Sequence, residues 1–216
     1  VPHPLRWLLL AVVLTALPIT AGVLMFDEKA APPVSKRPPP PAYASTALAD
    51  YDSRMVALTR APFCDRIADE AITEALGGQP RERTAYRNGQ RALVTTGVDD
   101  IAHEYGCRIT GARGELRAWL FAPPVTRDRA RTLAAESTQR GSCTRPAGAP
   151  AYGVSSVALV CPAGNRTWVS FRGLFGDAWL SCSLQARTSL GVDALVDRAG
   201  RWCVAVAEAA AVSPIT

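Results

Sequence analysis

The sequence predicts an α+β fold: an N-terminal transmembrane helix, then an extracytoplasmic domain of mostly antiparallel sheet packed by helices and braced by disulfides. Three observations predict it. An uncharged apolar run, Trp7 to Phe26, stands near the start. Six cysteines all follow that run, an even number with no close pair. Beyond the run, strand-like segments with period-two alternation are interspersed with helix-like segments.

The apolar run has 20 residues. At about 1.5 Å per residue it makes roughly 30 Å of helix, the thickness of a hydrocarbon core. A cleavable leader has a shorter apolar region and a small-x-small cleavage site. The best such site would follow Ala21, where Ile19 occupies a position that wants a small residue. A retained signal-anchor is the expectation, with cleavage as the alternative. Pro18 lies within the run, and a membrane helix tolerates it where freed carbonyls find partners. Arg6 precedes the run and Asp27 and Glu28 follow it, so the positive-inside bias leaves residues 1–6 in the cytoplasm, spans with 7–26, and places the remainder outside. The expected localisation is the cell membrane, single-pass, with the C-terminal domain extracytoplasmic. The expected partners are membrane lipid through this helix and an envelope ligand or a membrane protein.

Residues 27–44 read as a linker. Within it AAPPVSKRPPPPA carries six prolines in thirteen residues, which favours polyproline II. At about 3.1 Å per residue it holds the domain roughly 40 Å from the membrane.

The cysteines are Cys64, Cys107, Cys143, Cys161, Cys182 and Cys203. Outside a membrane they form disulfides. A zinc site wants close cysteine pairs or histidines, whereas the nearest two cysteines are 18 positions apart and only His103 lies beyond the apolar run. No metal or cofactor is implied. Six cysteines allow many pairings; the expectation adopted is chain order, Cys64–Cys107, Cys143–Cys161 and Cys182–Cys203.

Within an expected domain of residues 45–212, followed by a tail of 213–216, STALADYDSRMVALTRA predicts a helix. Leu48, Tyr51, Met55 and Leu58 fall at helical spacing, Ser45 or Thr46 caps it and Pro62 ends it. CDRIADEAITEALGG predicts a second helix from Cys64, with Ile67, Ala71, Ile72, Ala75 and Leu76 on its apolar face and Gly77-Gly78 as the stop. The polar residues 79–90 predict a loop. RALVTTGV, YGCRITG and ELRAWLFA predict strands, the last two a hairpin. Thr126 caps a helix that ends at Gly141. VSSVALVC, TWVSFRG and AWLSCSLQA predict three more strands, and a last helix runs from about Val192 to Val212. Both halves place a helix after strands, an order that fits a weak duplication. The simplest architecture is a sheet covered on one side by helices.

Candidate catalytic groups are sparse. His103 has Asp99, Asp100 and Glu104 nearby, but no nucleophile-elbow motif accompanies it, since Gly153-Val154-Ser155-Ser156-Val157 lacks the second glycine. No catalytic residue is assigned. Asp69, Glu70 and Glu74 read as the solvated face of a helix and Asp177 as a turn residue. Trp119, Trp168, Trp179 and Trp202 read first as core, and as stacking platforms wherever they are exposed. Net charge is +5, carried almost wholly by arginines interleaved with acids, which reads as GC-rich bacterial coding. There is no basic block or aromatic-basic motif, so no nucleic-acid partner is expected.

CDRIADEAITEALGG, then YGCRI, then a strand, a helix and GSC, resembles small cell-envelope proteins of mycobacteria and related actinobacteria. These include envelope lipoproteins and the extracellular sensor domain of serine/threonine kinases. The resemblance covers about residues 60–205. It implies an α+β extracytoplasmic domain with cystines and a cleft suited to a ligand. The chain departs from it in having no lipid-attachment cysteine near the apolar run and no kinase sequence, and no functional residue carries over. The function expected is a single-pass membrane-anchored binding or interaction domain. The alternatives are an envelope hydrolase using paired carboxylates and a structural subunit of a membrane complex. Thiol labelling of the intact native protein should find no reactive cysteine; six reactive thiols would refute the oxidised state.

Overall fold

The computed structural model describes residues 43–212 apart from 96, 140 and 188. The expected transmembrane helix 7–26, nearly all of the linker and the tail 213–216 lie outside the described residues. Among the described residues no helix is long and apolar enough to cross a membrane.

The domain is α+β: a six-stranded antiparallel sheet packed by three α-helices. The elements are α1 (Asp69–Leu76), β1 (Pro80–Tyr86), β2 (Arg91–Thr95), β3 (Val98–Ile101), β4 (Glu104–Gly111), β5 (Gly114–Phe121), α2 (Arg127–Thr138), β6 (Val154–Ala163), β7 (Arg166–Phe175), β8 (Ala178–Arg187) and α3 (Val192–Ala210). The large sheet has the order β1-β4-β5-β8-β7-β6, and β2 and β3 form a separate ribbon.

Successive residues of a strand face opposite sides, and directly opposed residues share a side. Leu116, Ala118 and Leu120 of β5 therefore meet Leu184, Cys182 and Leu180 of β8, and Val169 and Phe171 of β7 continue the same face. All are buried, and the residues of α1 and α3 cover them. Each fully buried leucine contributes about 2 kcal/mol by removal from water. In α3 Trp202 and Cys203 point into this core, and the Tyr152 hydroxyl donates to the Cys203 carbonyl at 2.9 Å.

The helix α1 carries Asp69 and Glu70 in its first turn, where the amide dipoles favour negative charge. It stops at Gly77, whose φ of +66° an L side chain resists, while the Gly77 and Gly78 amides donate to the Glu74 and Thr73 carbonyls. It begins later than the sequence predicts: Cys64–Arg66 forms a separate 3-10 turn. Thr126 caps α2 by accepting from the Arg129 amide at 3.2 Å. This helix lies on the other face of the sheet, where Val125, Ala130, Leu174 and Trp179 form a second core. Helices thus occupy both faces, a correction to the one-sided architecture. The helices after the two strand groups lie on opposite faces, which sets the halves apart as structures.

Two further expectations are corrected. The helix from Ser45 is replaced by a 3-10 turn, Leu48–Asp50, and an irregular path. Asp50, Asp52 and Ser53 favour turns, and tertiary hydrogen bonds capture the segment. The Ser53 hydroxyl donates to the Ala151 carbonyl and accepts from the Gly153 amide, and the Thr59 amide donates to the Ala210 carbonyl at the end of α3. Met55, which the helical pattern placed on the apolar face, is 82% exposed. The loop expected at 79–90 contains β1 instead. That strand lies at the sheet edge with Pro80 to Ala85 exposed, so its sequence has no apolar alternation to display. At the opposite edge, Thr144 and Val160 exchange two backbone hydrogen bonds of 2.8 Å along the outer side of β6.

All six cysteines are paired in chain order: Cys64–Cys107, Cys143–Cys161 and Cys182–Cys203. With sequence separations of 43, 18 and 21, chain-entropy reasoning gives the first about 4 kcal/mol and the others about 3 kcal/mol each. Such cystines point to an oxidising, extracytoplasmic setting. Cys143 is half-buried, whereas the other five are buried. Brief treatment with dithiothreitol followed by alkylation should therefore label Cys143 and Cys161 first. Mass spectrometry showing Cys182 or Cys203 modified ahead of them would contradict this packing.

Candidate functional site

The sheet face opposite α1 and α3 is only partly covered by α2. Its open half forms a cleft of about 890 Å³. The floor comes from β4, β5, β8 and β7; Leu93 and Ile101 of the β2–β3 ribbon and the Cys161–Ala163 end of β6 contribute to its sides.

Register assembles the floor in rows. Trp119 of β5 lies opposite Ser181 of β8, which lies opposite Arg172 of β7. Two residues along, Arg108 of β4 meets Arg117, which meets Ser183 and then Ser170. The next row runs Thr110, Glu115, Gln185, Trp168. Serines at the centre leave room for the large side chains on either side to fold inward. The hydroxyls of Ser170 and Ser181 are buried and have no hydrogen-bond partner among the described residues.

Arg172 organises one part of the site. Its guanidinium carbon lies 5.8 Å from the Trp119 ring centre and 5.6 Å from that of Trp168, within cation–π reach of both. Its Nη1 donates to the Ser137 hydroxyl of α2 at 2.8 Å, and that hydroxyl donates in turn to the Leu133 carbonyl. Both indoles remain partly exposed. Trp179 and Trp202 are core residues at 2% and 1% exposure, so the four tryptophans divide evenly between packing and the cleft.

Glu115 organises the other. Arg108 donates to both its carboxylate oxygens, at 3.1 and 3.0 Å, and the Arg117 Nε donates to Oε1. Burial by itself pushes the Glu115 carboxyl up, but the hydrogen bonds and charges of Arg108 and Arg117 outweigh it and hold the group below the usual range. Glu104 shows the reverse balance. Burial raises it, and the hydrogen bond from the Tyr86 hydroxyl offsets this only in part. Tyr86 is raised by its burial and by Glu104. The Tyr86 ring lies directly over Gly106, where any side chain would collide with it.

His103 lines the cleft and is exposed. Its neighbouring acids are engaged elsewhere: Asp99 pairs with Arg91 at 3.1 Å, Asp100 accepts from the Ile101 amide, and Glu104 accepts from Tyr86. Glu104 and Glu115 line one cleft, but Glu104 lies opposite Phe121, six residues along β5 from Glu115. At about 3.3 Å per residue their Cα atoms are roughly 20 Å apart. Paired-carboxylate glycosidases work with carboxyl groups less than about 10 Å apart. Of the other acids, Asp69 pairs with Arg83, Glu74 accepts from Tyr43 and Ser45, and Asp177 pairs with Arg60. Among the described residues no group of three metal-ligating side chains occurs.

The six cysteines do not form one site, although Cys107 and Cys161 reach the cleft lining. Sequence reasoning missed Arg172, Glu115, Arg117 and Gln185. The signal was available in ELRAWLF and SCSLQ, whose alternation puts Glu, Arg and Trp, and Ser, Ser and Gln, on the face away from the leucines.

Because the Glu115 carboxyl is depressed, its stabilisation is present above the ordinary carboxyl value of 4.5 and is lost as pH falls through the folded value. Glu115→Gln should cost about 1–2 kcal/mol at pH 7 by urea unfolding. The difference from the parent should shrink as pH falls below 4.5 and through the lowered folded value. A pH-independent difference would mean that the carboxylate's charge is not what Arg108 and Arg117 hold. Neither protein-family models nor curated proteins give a match to the chain.

Proposed function

We propose that the chain is a single-pass, membrane-anchored protein whose extracytoplasmic domain binds an envelope ligand in the open cleft without turning it over. The observation that carries this reading is the pair of partly exposed indoles fixed around Arg172 beside the Arg108–Glu115–Arg117 cluster. Rigid aromatic surface beside a few oriented polar groups, in a concavity of this size, is the usual make-up of a small-molecule site. Of the cleft's acids, Glu115 is held by Arg108 and Arg117, Glu104 accepts from Tyr86 and Asp100 accepts from the Ile101 amide, an arrangement that favours binding over hydrolysis. The cystines, the apolar run Trp7–Phe26 and the proline-rich linker support a tethered domain outside the cytoplasm. The resemblance to actinobacterial envelope domains is in keeping with this reading.

The test is to purify the full-length chain from host membranes in mild detergent and identify small molecules that co-elute. A molecule retained by the parent and lost from the Trp119→Ala/Trp168→Ala variant, with unchanged membrane fractionation, is the expected result. Recovery of the chain from the cytosol with reduced thiols would overturn the localisation. Retention of the same molecules by the variant would overturn the cleft as their site.

A further inference from the structure

We infer that the cleft's ligand is an uncharged saccharide, one pyranose ring of which stacks on Trp168 while its hydroxyls reach Gln185 and the Glu115 cluster; this rests on the reading of the cleft as a ligand site. A pyranose offers an apolar C–H face and a rim of hydroxyls that both donate and accept. Its binding site therefore needs a flat π surface and, at ring distance, planar groups of both hydrogen-bonding senses. Row by row the floor supplies these. Trp168 and Gln185 are directly opposed on β7 and β8, and Gln185 and Glu115 on β8 and β5. Adjacent strands are about 4.8 Å apart. A ring lying over Trp168 thus meets an amide one strand away, and a carboxylate flanked by two guanidiniums about 10 Å away. The amide gives and accepts, the carboxylate accepts, and the guanidiniums of Arg108 and Arg117 have donors beyond those used on Glu115.

Preorganisation points the same way. Arg172 lies within cation–π reach of both Trp119 and Trp168 and is tied to α2 through Ser137, so the indoles hold their positions before a ligand arrives. A ligand that gains only stacking and neutral hydrogen bonds benefits most from a surface that needs no ordering.

Charge argues against the other candidates. Arg108, Arg117 and Arg172 line the cleft together with Glu104, Glu115 and Asp100, so three cations face three acids. An anion approaching the Arg108–Arg117 pair meets the carboxylate that already joins them. A lipid chain would strip water from this charged floor without replacing its hydrogen bonds. At about 890 Å³ the cleft takes more than one sugar ring.

The experiment uses the full-length chain in a zwitterionic, sugar-free detergent. It is probed on an array of neutral hexose, pentose and N-acetylhexosamine oligosaccharides, then titrated with any hit by tryptophan fluorescence. The expected result is binding that weakens about tenfold or more in Trp168→Ala and about threefold or more in Gln185→Ala. Affinity should change less than about twofold between low and high salt, since the ligand carries no charge for ions to screen. Both variants are checked for parental circular dichroism; should Trp168→Ala fail to fold, Gln185→Ala decides. Inorganic phosphate and phosphatidylglycerol vesicles are run in parallel. Binding of either in a cleft-dependent way, with an empty saccharide array, would overturn the saccharide and leave the cleft as a ligand site. An array hit indifferent to both variants would overturn the saccharide as occupant of this cleft. No cleft-dependent binding of any probe would overturn both readings.

Discussion

The pairing of β5 with β8 is the constraint on which the rest of the domain depends. It joins the strands before α2 to those after it, and a single register serves both sides. On one side Leu116, Ala118 and Leu120 meet Leu184, Cys182 and Leu180 and begin the main core. On the other, Glu115, Arg117 and Trp119 meet Gln185, Ser183 and Ser181 and begin the cleft. A slip of one residue would turn leucines to solvent and arginines into the core, so burial of the first face fixes the geometry of the second. Burial of the leucine face thus sets which side chains share the cleft, and their own polar contacts then fix how those side chains lie.

The cystines extend that logic outward. Each joins a strand to a segment flanking or within a helix: Cys107 of β4 to the turn before α1, Cys161 of β6 to the segment after α2, and Cys182 of β8 to α3. No two fasten the same pair of elements. A helix laid on a sheet is held by non-directional contacts, and one covalent tie fixes where it lies. For α2 that matters to the cleft, because Ser137 holds Arg172 from behind and Arg172 holds the two indoles.

The strands β4 and β5 were legible because their burial alternates, β7 and β8 because their apolar and aromatic runs, buried on both faces, are bounded by turns, and the last helix because its apolar positions face one core. The chain-order disulfides followed a simple expectation. Two segments misled for opposite reasons. Residues 45–61 have helical spacing, but Met55 has nothing to pack against and Leu58 is taken up beside the end of α3. Residues 80–86 form a strand through pairing with β4 alone, and backbone pairing leaves no mark on side-chain type. The site was half-legible. Trp119 and Trp168 were singled out as stacking surfaces if exposed, but their division from Trp179 and Trp202 depends on which half of the face α2 covers. Arg172, inside the apolar-looking TWVSFRG, gains its meaning only when β7 is placed between β8 and β6.

The two margins of the sheet bear on how copies behave when crowded. An open margin offers its amides and carbonyls to any passing extended chain. Along β1 a newcomer would have to dock beside Arg81, Glu82 and Arg83 in succession, surrendering their hydration as it did so. Along β6 the chain's own backbone at Thr144 has already taken one of the places. Among the described residues, neither flank of the six-stranded sheet presents a long, bare, greasy template for a neighbour to zip onto.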